Sequence, residues 1–165
     1  MKKLAYILFF SVSFLLIGKR SQAQDYQTAV GLKFGAYEVG PSIKYFMDKN
    51  TALEGIIGIR DHGVVITGLY EIHQPAFNVD KLNFYYGFGG HLGSIGRGGF
   101  YKRIGGDDEY YDGKHILIGA DATLGLEYKI PEAPIAISLD LNPRLELARG
   151  PFFDIAPGLG LKYTF

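Results

Sequence analysis

Four residues of the chain could in principle do acid–base or nucleophilic chemistry: His62, His91, Ser94 and His115. A hydrolase or acyltransferase needs a hydroxyl nucleophile next to a base, and histidine is the usual base at neutral pH. Ser94 follows His91 closely, yet no spacing in the chain marks a nucleophile and its base. A lone histidine in a strand is more often a hydrogen-bonded structural side chain. The sequence therefore predicts no catalytic residues, and a lipid-modifying enzyme is the weaker alternative.

The segment 93–114 carries the other residues that could bind a ligand. Its basic residues Arg97, Lys102 and Arg103 are followed by the acidic residues Asp107, Asp108, Glu109 and Asp112. Carboxylates attract divalent cations, but these lack the alternating spacing of a calcium-binding loop. We interpret the segment as a solvated loop. The chain has no cysteine, which excludes thiolate metal sites and disulfides. The sequence predicts no metal site and no cofactor.

The composition indicates a β-rich domain of ordinary size without a basic surface. The 165 residues include 17 Lys and Arg against 17 Asp and Glu, so the formal net charge is zero. This balance argues against nucleic-acid binding through a basic face. The chain also has 23 glycines and 12 each of Phe and Tyr, and aromatic residues favour strands over helices.

Residues 1–23 have the pattern of a secretory signal peptide. Two lysines precede an apolar stretch at 4–17, and small residues near the end of the segment favour cleavage after Ala23. The apolar stretch is shorter than the roughly 20 residues that a membrane-spanning helix needs. The mature domain is then 24–165, which is mildly acidic and has no predicted transmembrane helix.

The mature chain alternates apolar residues with small or charged ones, which is the pattern of half-buried strands. In the clearest case, 135–147, every odd position is apolar and the even positions carry Asp140, Arg144 and Glu146. The eight segments with this pattern are 28–36, 40–47, 51–60, 64–72, 82–92, 115–128, 135–147 and 153–165. The sequence predicts an all-β fold, an eight-stranded antiparallel up-and-down barrel.

Charged residues gather on one face of these strands. They are Lys33, Lys44, Arg60, Arg144, Lys162, Glu54, Glu71, Asp121, Glu127, Asp140, Glu146 and Asp154. If this face points into the barrel, the charges must pair or hold water, because a lone buried charge is costly. We expect a salt-bridged, plugged interior. The alternative is a narrow pore or a proton-linked path. It is the weaker interpretation, because eight strands leave little room for a channel.

The connections between strands fall into two sets. Those on the side of the chain termini are 48–50, 73–80 and 129–134, and those on the opposite side are 37–39, 61–63, 93–114 and 148–150. An even number of strands with one long loop is typical of outer-membrane barrels. Pro143 and Pro157 lie equally far from Gly150, so we expect them to face each other across a hairpin and to bend it locally.

Alternation alone does not distinguish a membrane barrel from a soluble lipocalin-like barrel, in which the apolar face points inward. Three observations favour the membrane barrel. The polar faces are rich in glycine and alanine, which suits a narrow interior. The apolar faces are as long as membrane-crossing strands of about 9–11 residues. Aromatic residues gather near strand ends, where membrane interfaces lie; they are Tyr45, Phe84, Tyr128, Tyr163 and Phe165.

The secretory signal, the eight amphipathic strands and the final segment 161–165, Leu-Lys-Tyr-Thr-Phe, resemble the small outer-membrane β-barrel proteins of Gram-negative bacteria. In that family the barrel-assembly machinery reads a C-terminal strand that ends in Phe. The resemblance covers the whole mature chain, but it is a match of pattern and not of a specific motif. Because Phe165 ends the chain, we expect a barrel without a periplasmic domain.

The resemblance implies a multi-pass protein of the cell outer membrane, with both termini in the periplasm and the 93–114 loop outside. The expected partners are outer-membrane lipid, lipopolysaccharide and, during biogenesis, the barrel-assembly machinery. No nucleic-acid partner is expected, and the protein should be a monomer. We expect a structural or surface-interaction role. The alternatives are a narrow pore or transport barrel for small or hydrophobic solutes, and a soluble lipocalin-like ligand-binding barrel.

Overall fold

The computed structural model of the protein describes residues 26–60, 62–98, 100–101, 109–110, 112–148 and 152–165. The predicted signal peptide and its cleavage site lie outside the described residues. Within the described ranges, no helix has the length and apolar character needed to cross a bilayer.

Eight strands form a closed antiparallel barrel, as the sequence predicts. They are β1 Thr28–Gly35, β2 Val39–Phe46, β3 Thr51–Arg60, β4 Gly63–Pro75, β5 Leu82–Ile95, β8 His115–Lys129, β9 Ile135–Glu146 and β10 Phe152–Thr164. Each strand pairs with its neighbours along the chain, and β1 pairs with β10 to close the barrel. Within the β5–β8 connection, β6 Phe100–Tyr101 and β7 Glu109–Tyr110 form a separate short hairpin.

Strands β4 and β5 are both longer than predicted. Residues 73–75, predicted to lie in a turn, pair with 83–85, and β5 continues through Ile95 into the predicted loop. The alternation of β4 in fact persists past Ile72, because His73 follows Glu71 on the inner face. Pairing between neighbouring strands therefore overrides the turn-like composition of this segment. Pro75 is tolerated because it is the last residue of its strand.

The predicted opposition of the two prolines is wrong. Pro143 lies across from Ile155, and Pro157 lies across from Leu141, because the β9–β10 pairing is centred one residue earlier than predicted. Pro143 instead coincides with a gap in the ladder between β8 and β9, where pairing resumes only at Leu141. A proline has no N–H to donate to a neighbouring strand, which accounts for the gap.

As predicted, the charged side chains of the strands face the barrel interior and the large apolar side chains face outward. Eleven of the twelve charged residues assigned to the polar face are buried inside the barrel, and the twelfth, Arg144, has a side chain that is only 11% exposed. Large apolar side chains cover the outer face, and most of them are exposed. Among them are Leu32, Ile43, Ile57, Ile66, Phe88, Leu92, Ile118, Leu139 and Leu161.

Two small apolar clusters lie inside the barrel, one near each end. At the end that carries the chain's C-terminus, Tyr26 and Phe46 pack with Ala29, Ala52 and Ala136. At the opposite end, Val65, Ile95 and Leu117 pack with the half-buried Tyr37 of the β1–β2 connection. We call the first end of the barrel the terminal end and the second the loop end. Most of the charged residues lie on the stretch of the strands between the two clusters, and Arg60, the last residue of β3, lies beside the loop-end cluster.

Candidate functional site in the charged interior

Lys44 is the centre of the charge network nearest the terminal end. Its ammonium lies 3.2, 2.8 and 2.9 Å from carboxylate oxygens of Glu54, Glu71 and Glu127. These residues come from β2, β3, β4 and β8, so the contacts join both walls of the barrel. The Lys44 side chain is 0% exposed. A buried cation is tolerated only when carboxylates of this kind compensate for the lost water.

Further groups complete this network, because one lysine cannot balance three carboxylates. Lys162 of β10 lies 3.0 Å from Glu54, and His73 Nε2 lies 3.0 Å from Glu71. The hydroxyl of Tyr26 donates a hydrogen bond of 2.5 Å to Glu127. Each carboxylate around Lys44 therefore has a second partner.

Tyr85 links this network to the middle of the barrel. Its ring stacks on His73 with centroids 4.9 Å apart, and the Lys44 ammonium lies 4.5 Å from its centroid. Its hydroxyl donates a 2.5 Å hydrogen bond to Asp140. Asp140 also pairs with Lys33 and accepts a hydrogen bond from Asn142 at 2.6 Å.

A second network, centred on His91 and Arg144, lies toward the loop end. His91 lies between two carboxylates, with Nδ1 2.8 Å from Asp121 and Nε2 3.0 Å from Glu146. Arg144 donates from Nε to Asp121 at 2.7 Å and pairs with Glu38 at 3.0 Å. Glu146 in addition accepts backbone N–H groups from β8 and from the β9–β10 connection.

Inward-facing glycines provide the space that these side chains need, as the glycine-rich polar face predicts. A Cβ at Gly119 would lie 2.7 Å from the His91 ring, and one at Gly58 would lie 2.7 Å from the Glu38 carboxyl carbon. Both distances are shorter than real carbon contacts allow. The lumen is therefore filled by long charged side chains that extend across positions without side chains.

A cavity of about 40 Å³ remains beside the second network, beneath the β1–β2 connection. Lys33, Glu38, Thr67, Asn142 and Arg144 are among its lining residues. This volume is enough for a few water molecules. Above the cavity, burial and a hydrogen bond with Asp154 raise the pKa of Tyr37 well above its usual value, so its hydroxyl remains protonated.

Ser94 and His91 do not form a nucleophile and base. Ser94 lies on the outer face of β5 and His91 on the inner face, because they are an odd number of residues apart in one strand. Both ring nitrogens of His91 contact carboxylates. His62 and His115 lie at the loop end, as expected.

The structure describes only part of the acidic loop. Asp107 and Asp108 lie outside the described residues, and Asp112 is exposed. Among the residues that the structure does describe, no group of three or more His, Asp or Glu has an arrangement that could hold a metal ion.

The sequence places the charged positions correctly but misses several of their partners. The sequence predicts that Glu38 and His73 lie in turns, and it indicates no role for Tyr26 or Tyr85. His73 could have been found by continuing the alternation of β4 by one step. Glu38 could not, because it belongs to a connection in which period-two alternation does not apply.

Comparison with solved structures finds a similar fold in the N-terminal β-barrel domain of OprF from Pseudomonas aeruginosa. The TM-score is 0.61 at 19% sequence identity, and the match covers 84% of this chain and all of that domain. No family model and no curated protein matches the chain. At this identity the likeness is one of fold, a closed eight-stranded antiparallel barrel.

Proposed function

We propose that this protein is an integral β-barrel protein of the bacterial outer membrane with a structural or surface-interaction role. The signal peptide at 1–23 would direct it to the periplasm, and the terminal end would face the periplasm. The OprF domain that it resembles in fold belongs to an outer-membrane protein. The proposed surroundings are outer-membrane lipid and lipopolysaccharide, with the barrel-assembly machinery acting during biogenesis. The protein would be monomeric and would have no enzymatic activity.

The observation that carries the proposal is the distribution of charge across the wall. In the described barrel strands, the charged side chains lie at inward positions and the outward positions are apolar or uncharged. A soluble barrel has the reverse arrangement. The apolar outer positions of β9 and its flanks run from Ile135 to Leu147, about 40 Å along a strand, which at a tilt of about 40° is about 30 Å along the barrel axis. That height matches a hydrocarbon core.

Aromatic side chains on the outer face also support a membrane around the barrel. The five aromatic residues singled out in the sequence all lie toward the terminal end, and four of them are exposed: Tyr45, Tyr128, Tyr163 and Phe165. A ring of aromatic residues at one level is typical of a membrane–water interface. Phe34 and Phe153 are exposed aromatic residues toward the loop end.

The filled interior favours a plugged barrel over a pore. The side chains around Lys44 are at most 1% exposed, so water has little access to the lumen at that level. We therefore expect no stepwise conductance when the purified protein is added to a planar bilayer. Regular conductance steps would instead favour the transport barrel, and charge reversal at Arg144 or Asp140 should then change their ion selectivity.

Two experiments test the membrane assignment. In detergent, unheated protein should migrate differently from boiled protein on a gel, whereas protein that stays in the soluble fraction without detergent would contradict the proposal. Because the chain has no cysteine, a single cysteine can report orientation. In intact cells, a membrane-impermeant maleimide should label Asp112→Cys at the loop end but not Asn78→Cys at the terminal end. Equal labelling of both would contradict the proposed topology.

A further inference from the structure

Glu38 differs from the other charged residues of the two networks because it lies on a connection and not on a strand. It belongs to the β1–β2 connection, at the loop end. Its carboxylate turns into the barrel and accepts hydrogen bonds from both terminal nitrogens of Arg144, at 3.0 and 3.4 Å. A bidentate contact of this kind matches the planar fork of the guanidinium group.

Arg144 would keep its position if Glu38 moved away. It lies on β9, and its Nε donates to Asp121 at 2.7 Å. Asp121 is in turn fixed by His91. The side chains of Arg144 and Glu38 are 11% and 14% exposed, so this pair lies closer to water than the fully buried Lys44. The fork is thus a fixed group, whereas its carboxylate partner belongs to a short surface connection.

The space around the fork is built for a carboxylate. Gly58 leaves room for the Glu38 carboxyl group, and the cavity of about 40 Å³ continues this space toward Lys33 and Asn142. The hydroxyl of Thr67 lies 3.5 Å from the fork. Together these groups offer two cations and two neutral polar groups in a volume that would accept a carboxylate with one or two carbon atoms.

We propose that the Arg144 fork and the adjoining cavity form a binding site for the carboxylate group of a ligand that arrives from the loop end, and that Glu38 occupies this site as an internal ligand. A carboxylate fits better than a phosphate, because Asp121 contacts the same guanidinium and would repel a dianion. The proposal rests on the proposed function only in that the loop end would face the medium outside the cell.

Competition with Glu38 gives the proposal a quantitative consequence. If Glu38 occupies the fork about nine-tenths of the time, a ligand binds about tenfold more weakly than it would to an unoccupied site. Removing the Glu38 carboxylate should therefore strengthen binding about tenfold.

The test uses the purified protein in detergent micelles, so its outcome does not depend on insertion in a membrane. Acetate, and separately inorganic phosphate, is titrated while the amide NMR signals of Thr67 and Asn142 are followed. We expect saturable shifts with acetate in the wild type and saturation at about tenfold lower concentration in Glu38→Ala. The double variant Glu38→Ala with Arg144→Met should show no saturable shift, and Glu132→Ala, at the terminal end, should behave as the wild type.

Four results would overturn the proposal: no saturable shift in the wild type, equal affinity in wild type and Glu38→Ala, binding that survives loss of Arg144, or phosphate binding as tightly as acetate. Folding is checked by the heat-dependent gel shift. If Glu38→Ala does not fold, Glu38→Gln serves in its place, because it keeps the size of the side chain and loses its charge. Acetate binding by a protein that fails the membrane tests would overturn the proposed function alone.

Discussion

Lys44 is a fully buried lysine whose three carboxylate partners lie on three other strands. Alternation in β2 predicts that Lys44 faces inward, and it does. Its partners could not be predicted, because Glu127 is 83 residues away on the opposite wall. Which side chains meet across a barrel depends on the tilt and stagger of strands that do not pair with each other. The contact between Arg144 and Glu38 in the candidate site could not be predicted for the same reason.

Replacing Lys44 with methionine should strongly destabilise the barrel. The change leaves the carboxylates of Glu54, Glu71 and Glu127 without their shared cation, and breaking a buried ion pair costs about 3–5 kcal/mol. The loss is measured as the free energy of unfolding in a urea titration in detergent, in which the heat-dependent gel shift reports the folded fraction. Lys49→Met, at an exposed position of the β2–β3 connection, is the control and should change stability by less than about 0.5 kcal/mol. Equal stability of the two variants would contradict the role of Lys44.

Asp48 should make the stability of the β2–β3 connection depend on pH. Its carboxylate accepts the backbone N–H groups of Asn50 and Thr51, each at 2.8 Å, and these bonds lower its pKa. Because its pKa is lower in the folded state, the Asp48 carboxylate contributes fully to the free energy of unfolding when the pH is above its pKa in the unfolded chain, about 3.9. This contribution is lost as the pH falls through the pKa in the folded protein. Wild type should therefore be more stable than Asp48→Ala at pH 6, and the difference should vanish toward pH 2. A difference that does not change with pH would show that the charge is not involved.

At the level of the strands, the sequence predicts existence and order well and boundaries less well. Eight strands and their faces follow from period-two alternation, because every strand has one apolar and one polar side. The ends of β4 and β5 and the register of β9 with β10 do not follow, because they are set by pairing with neighbours. An error of one residue in the position of a hairpin centre was enough to misplace Pro157 relative to Pro143.

Pro143 should be replaceable by valine with a gain in stability. The register of β8 with β9 is the same on both sides of the gap at this residue, so the gap needs no rearrangement to close. A valine would supply the missing N–H, and one added backbone hydrogen bond contributes about 0.5–1.5 kcal/mol. Urea unfolding of Pro143→Val in detergent measures the gain. Pro157→Val should not show this gain in the free energy of unfolding. Pro157 lies in a continuous stretch of the β9–β10 ladder, so there is no gap to close. Unchanged or lower stability of Pro143→Val would indicate that the proline imposes a bend that the barrel requires.

Considered as a whole, the molecule inverts the usual arrangement of a soluble protein. In the described barrel strands, its charged side chains lie on the inside, where they pair across the lumen, and most of its large apolar side chains face outward. An exposed apolar surface that encircles a protein is stable only against another apolar phase. The near-neutral net charge and mean hydropathy of +0.06 conceal this sorting, because they average over the two faces.

An arginine on the outer face should therefore be tolerated or not according to its depth. Leu141 and Leu147 are similarly exposed, at 48% and 51%, but Leu141 lies near the middle of the apolar span of β9 and Leu147 at its loop end. In lipid vesicles, Leu141→Arg should lower the free energy of unfolding by about 2–4 kcal/mol and Leu147→Arg by about 0–1 kcal/mol. Urea titration of both variants measures the difference. If water surrounded the barrel, both substitutions would be tolerated alike, so equal and small losses would contradict a bilayer around this wall.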